Sequence, residues 1–188
     1  MINYRLPEKV EIGDAEYSIR SDFRAVLDIF TALSDPELSE TEKRFVTLEI
    51  FYPDFDDMPD SLYTDALKKC FWFVNGGKEE SSTESSPKLI DWEYDFPYII
   101  APVNRVVGQD VRGVEYMHWW TFLAAFNEIG DCTLAQIVRI RKLKRQGRLK
   151  DKADLAWYRQ NHDLVDIPVK LTDDEEALLK KWGGGANG

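Results

Sequence analysis

Four groups of side chains in this sequence have types and spacings that could do chemistry. Asp54, Asp56, Asp57 and Asp60 lie close together in one stretch and could offer oxygens to a hard cation. A calcium loop of the EF-hand kind needs a glycine at its sixth place and a glutamate at its twelfth. Counting from Asp54, those places hold Pro59 and Asp65, so a solvated acidic loop is expected instead. His118 precedes Trp119 and Trp120 and could act as a general base or a ligand, yet no second histidine stands at helical spacing. The expected role is a packed histidine bracketed by core tryptophans. Cys70 and Cys132 are far apart and form no CxxC, so both read as small apolar side chains. His162 reads as a helix-end residue. No phosphate-binding glycine loop, nucleophile elbow or HExxH zinc motif is present. No enzymatic activity, cofactor or metal is therefore expected.

The fourth group is a basic run from Arg139 to Lys150, read as a basic helix. It could meet nucleic acid, dock onto an acidic protein surface, or be a solvated face that favours its own helix C-terminus. The chain has 188 residues and a formal net charge of -10, which argues against a protein that coats DNA or RNA. The charge is uneven: residues 1–77 carry a net -8 and residues 113–150 a net +4. This polarity suits self-association between copies or docking on another protein better than nucleic acid. Six tryptophans in a chain of this size suggest that some aromatic surface lines a binding groove.

The elements that would position these groups are mostly helical. Val10 and Ile12, then Tyr17 and Ile19, alternate around Gly13-Asp14 as a short β-hairpin. Ser21 is placed to cap a helix with a stripe at Phe23, Val26, Leu27, Phe30 and Leu33. Ser39-Glu40-Thr41-Glu42 is a capping box opening a second helix, and Asp60 is placed to cap a third that Gly76-Gly77 ends. Asp95 is placed to cap a helix with Pro97 in its first turn. A strongly apolar helix is expected over 115–129, one capped by Thr133 after it, a short one over 151–161, and a last one from the Thr172–Glu175 capping box through Trp182. The fold expected is mainly α: a short N-terminal β-hairpin followed by a helical bundle in two lobes. The first lobe would cover residues 1–77, with a polar linker or long loop at 78–90. The second would cover 91–182, and 183–188 would be a disordered tail. There is no basic region followed by an apolar run at the start, and no apolar stretch of the ~20 residues a membrane span needs. No membrane partner is expected.

Certain residues of the C-terminal half resemble a phage family. They are Asp91-Trp92-Glu93-Tyr94-Asp95, then Tyr98-Ile99 and the helix ending at Gly108, then Met117-His118-Trp119-Trp120-x-Phe122, then Ile137-x-x-Ile140-Arg141 and the basic run. With the N-terminal hairpin, Phe23-Arg24 and the acidic three-helix lobe, this pattern is similar to the siphophage and prophage proteins named after gene product fifteen. The run Gly108-Gln109-Asp110-Val111 departs from the family's usual Gly-Ile-Asp-Leu.

The resemblance implies a non-enzymatic tail assembly chaperone that acts in the bacterial host cytoplasm and is absent from the finished virion. Its implied partners are the tape measure protein and the tail tube protein. The rival expectations are a structural minor tail component, such as a tube or completion protein, and a nucleic-acid binder acting through residues 139–150. On the chaperone reading, Trp92, Tyr98, Trp119 and Trp120 would form or support a groove for the partner. Arg139, Arg141, Lys142, Lys144, Arg145 and Arg148 would orient the partner or a neighbouring copy.

Overall fold

The computed structural model describes residues 5–79, 89–175 and 177. The expected linker therefore falls largely outside the described residues, as do the tail at 183–188 and the end of the last helix.

The hairpin forms as its alternation requires. Strands β1 (Lys9–Ile12) and β2 (Ala15–Ser18) pair antiparallel, with Val10 opposite Tyr17 and Ile12 opposite Ala15. Gly13 takes the positive φ of +60° that a tight turn demands. Val10 and Ile12 bury their side chains. Two strands alone are marginal in water, so this burial against the helices is what holds the hairpin.

Helix α1 (Phe23–Leu33) turns Phe23, Val26, Ile29 and Ala32 inward, at a regular spacing of three. Its cap is Asp22 rather than the expected Ser21. Asp22 accepts from the Arg24 amide at 2.9 Å with one carboxylate oxygen and from the Met117 amide at 2.9 Å with the other. The carboxylate's two oxygens let one side chain serve both segments at once. Ser21 instead is buried and shares a hydrogen bond with the Tyr116 hydroxyl.

Helix α2 (Glu40–Phe51) opens on the expected capping box: the Glu42 amide donates to Ser39 Oγ and the Ser39 amide to Glu42 Oε2. Helix α3 (Tyr63–Val74) lies against α2. Asp60 does not cap it. Residues Asp60–Leu62 form a 3-10 turn that feeds the chain into α3 already helical at Leu62, so no side-chain cap is made.

The C-terminal half contains α4 (Phe96–Val107), α5 (Trp119–Asn127), α6 (Thr133–Arg145), α7 (Lys152–Gln160) and α8 (His162–Val165). Gly108 ends α4 in the left-handed conformation. The departure at Gln109-Asp110-Val111 is a built turn: Asp110 accepts from the Arg112 amide and opens a 3-10 turn over Val111–Gly113.

Helix α5 begins four residues later than its apolar run. Residues 117–119 are held extended against 21–23, with the Phe23 amide donating to Met117 and the Trp119 amide to Ser21. Thr133 is the first helical residue of α6 rather than its cap; Cys132 occupies the cap position without a side-chain bond. The box at Thr172 and Glu175 is formed in both directions.

The fold is thus mainly α with an N-terminal hairpin, as expected. The segments on either side of residues 80–88 share one apolar core, running from Val10 and Ile12 through Phe23, Phe51 and Phe73 to Val103, Trp119, Phe122 and Leu134. Phe23 of α1 stacks on Phe122 of α5 with ring centres 4.6 Å apart and planes 1° from parallel.

Candidate partner-binding surfaces

The side chains that could do chemistry are engaged in holding the fold. His118 is 4% exposed. The Trp120 amide donates to its Nδ1 at 3.0 Å, which requires that nitrogen to be bare. The proton then sits on Nε2, which donates to the Pro7 carbonyl at 3.0 Å. His118 is therefore the N-cap of α5 and a tie to the chain entering the hairpin. Cys70 is buried in α3, and burial pushes its thiol well above the ordinary range. The acidic loop forms a 3-10 turn at Phe55–Asp57 and buries Met58. Among the described residues no group of three or more His, Cys, Asp or Glu lies together as a metal site.

The expected aromatic groove residues fall in two places. Trp119 is 1% exposed and donates its indole N–H to the Val74 carbonyl at 2.8 Å. Trp92 meets it edge-on at 5.7 Å and stacks on Phe30, half-buried. Trp120 points to the other side, stacked on Phe73 and edge-on to Trp72, with its N–H on the Phe73 carbonyl at 2.8 Å. Tyr98 is half-buried against the core on α4. Trp119 can support a surface but cannot line one.

The basic run is likewise divided. Helix α6 ends at Arg145 and Gly147 takes a φ of +64°, so Arg148 lies beyond the helix on an exposed turn. Arg141 faces inward: its guanidinium is buried and pairs with the buried Asp95 carboxylate. Asp95 stands at the cap position of α4 as expected, but its carboxylate makes no capping bond there and serves Arg141 and the Asp91 amide. Arg139 pairs with Asp154, and Lys144 with Asp166 at 2.5 Å and the Tyr158 hydroxyl at 2.6 Å. The hydrogen bond it donates to Asp166 holds the Lys144 ammonium above its ordinary pKa. Burial pushes the Asp166 carboxyl up, but bonds from Lys144 and Tyr158 outweigh it and leave the group below its usual range. Lys142 and Arg145 are exposed. Much of the +4 segment is thus offset by its own chain.

A different surface combines apolar floor and positive rim. A cleft of about 580 Å³ runs along the outer face of α3, lined by Thr64, Leu67, Lys68, Phe71 and Trp72, with Arg44 of α2 and Lys69 at its edges. By spacing alone, Leu67 and Phe71 group with Leu62, Ala66, Cys70 and Val74 as the apolar positions of this helix. The structure turns Ala66, Cys70, Phe73 and Val74 inward and leaves Leu67, Phe71 and Trp72 half-buried at the cleft. The available signal was the run Cys70-Phe71-Trp72-Phe73-Val74, which makes the helix apolar on more than one face.

The sequence profile described as Bacteriophage Gp15 protein matches residues 2–167, nearly the whole chain. The chain belongs to the bacteriophage Gp15 protein family. No curated protein and no solved structure matches it. The matched span takes in the hairpin, both sides of the shared core, the Asp95–Arg141 pair and the α3 cleft. This Gp15-family protein is thus a phage protein, and among its described residues no helix is long and apolar enough to cross a membrane.

Proposed function

We propose that the protein is a non-catalytic tail assembly chaperone. It binds the tape measure protein, tail tube subunits or both during tail morphogenesis in the bacterial host cytoplasm, and it leaves before the virion is complete. Membership of the bacteriophage Gp15 protein family over residues 2–167 carries this reading. The structural use of His118, Cys70, Asp95 and Arg141 supports it, because each is committed to the fold rather than presented to a substrate. A tape measure is a long helical protein whose apolar stripes stay unburied until the tube grows around it. A helical protein with apolar clefts can cover such stripes as amphipathic helices dock into grooves. A net charge of -10 keeps the loaded complex from aggregating.

Co-expression with the tape measure tests the reading. The tape measure should be soluble with this protein and aggregate without it; equal solubility in both cases would sink the idea. Mass spectrometry of purified virions separates the main rival. Stoichiometric copies in the particle would make this a structural tail component instead.

A further inference from the structure

We propose that the cleft between α2 and α3 is a docking site for an acidic amphipathic helix of a partner protein. The floor is built by one stripe of α3. Thr64, Leu67, Lys68, Phe71 and Trp72 recur at spacings of three and four, which puts them on a single face. The opposite face of the same helix supplies Ala66, Cys70 and Phe73 to the core. Helix α3 therefore has a second apolar stripe, at Leu67, Phe71 and Trp72, that stays half-buried, with Trp72 meeting Trp120 of α5 edge-on. From Thr64 to Trp72 that stripe runs about 12 Å, the length of two helical turns. Arg44 of the flanking α2 stands at one side, and a groove beside packed helices accepts another helix laid along it.

Charge selects the occupant. Residues 1–77 carry a net -8, yet the rim of this cleft has Arg44, Lys68 and Lys69. Among the described residues, Arg44 and Lys69 make no ion pair, and Lys68 meets only Asp65, with both side chains mostly exposed. Such an exposed pair is weak and yields to a better partner. Three cations around an apolar floor, in an acidic lobe, are complementary to carboxylates flanking an apolar stripe. Nucleic acid fits less well. A phosphate chain must track across many positive sites, whereas here three cations stand around a single cleft only about two helical turns long. This inference rests on the assembly reading only for which phage protein supplies the helix.

The test uses the full chain and two synthetic helical peptides of about 18 residues with leucines at helical spacing. One carries glutamate at the remaining positions and the other lysine. Calorimetric titration should show the glutamate peptide binding at least tenfold more tightly than the lysine peptide, and more weakly as salt rises. The variant R44E/K68E/K69E changes only exposed residues; its fold is checked by circular dichroism, and its preference should reverse toward the lysine peptide. Unchanged glutamate-peptide binding in that variant, no preference in the wild type, or tighter binding of a single-stranded oligonucleotide than of the glutamate peptide would overturn the proposal. The two readings fail separately. If both wild type and variant keep the tape measure soluble, the chaperone stands and the cleft falls. If the peptides behave as expected while the tape measure ignores the protein, the cleft stands and the chaperone falls.

Discussion

Asp95 and Arg141 form a two-pronged ion pair in which both side chains are buried, with Nη1 2.6 Å from Oδ2 and Nη2 2.9 Å from Oδ1. The same guanidinium donates to the carbonyls of Leu89, Leu164 and Val165. One side chain thus ties together the entry to α4, helix α6 and helix α8. Removing either charge strands the other away from water. Asp95→Asn or Arg141→Met should each cost about 3–5 kcal/mol in urea denaturation. Their combination should cost less than the sum, because no charge is left alone. Single losses under about 1 kcal/mol would mean that the pair is not a structural hub.

That pair also explains which parts of the molecule were legible in the sequence. Several features decided within four residues were readable, namely the Gly13 turn, the capping box at Ser39 and Glu42, and the box at Thr172 and Glu175, although the local caps at Asp60 and Thr133 were not. Features decided by a distant partner were not. Nothing in Arg139-Ile140-Arg141-Lys142 marks Arg141 as the buried one; Asp95 does so from 46 positions away. Ser21 and Asp22 are both good caps, and the amide of Met117 selects the carboxylate. The candidate site was partly hidden for the same reason. Leu67 and Phe71 fit an apolar stripe on α3, but only packing reveals that the core takes the opposite face.

The two bonds of His118 can be separated by substitution. Asparagine is a good N-cap and can keep the bond to the Trp120 amide, but it is too short to reach the Pro7 carbonyl as well. Alanine loses both. Thermal denaturation should therefore rank wild type above His118→Asn and His118→Ala lowest. The alanine variant should lose about 2 kcal/mol, in line with a lost cap plus a buried donor–acceptor link. Native stability in the alanine variant would show that neither bond holds the fold.

Gly77 must be glycine for two reasons that can be told apart. Its φ is +82°, and a Cβ there would lie 2.8 Å from Trp120 Cη2. The indole cannot swing away freely, since its N–H is bound to Phe73. Gly130 also has a positive φ, +60°, but a Cβ there would meet nothing within 4 Å. Gly130→Ala should cost about 1 kcal/mol, the left-handed penalty alone. Gly77→Ala should cost about 2 kcal/mol more, from overpacking. Equal losses in chemical denaturation would show that the ring yields.

Thr47 offers a change in the other direction. Its side chain is buried, and among the described residues its hydroxyl has no hydrogen-bond partner. Valine has nearly the same shape without the unpaired oxygen. Thr47→Val should raise stability by about 1 kcal/mol, because the desolvation cost of that group disappears. A loss of stability on this substitution would reveal a partner for the hydroxyl.

The turn after α4 should be acid-sensitive through Asp110. Hydrogen bonds from the Arg112 side chain and amide, helped by the Asn104 side chain, hold the Asp110 carboxyl well below the carboxylate range. A depressed folded-state pKa means that the contribution is complete at neutral pH, where the group is ionised in both states. As pH falls below the unfolded value of about 3.9, the unfolded chain takes up the proton first and the contribution shrinks. Wild type should therefore be more stable than Asp110→Asn at pH 7, with the gap narrowing steadily below pH 4 in parallel denaturation curves. A gap that stays constant down to pH 2 would show that the carboxylate does not hold this turn.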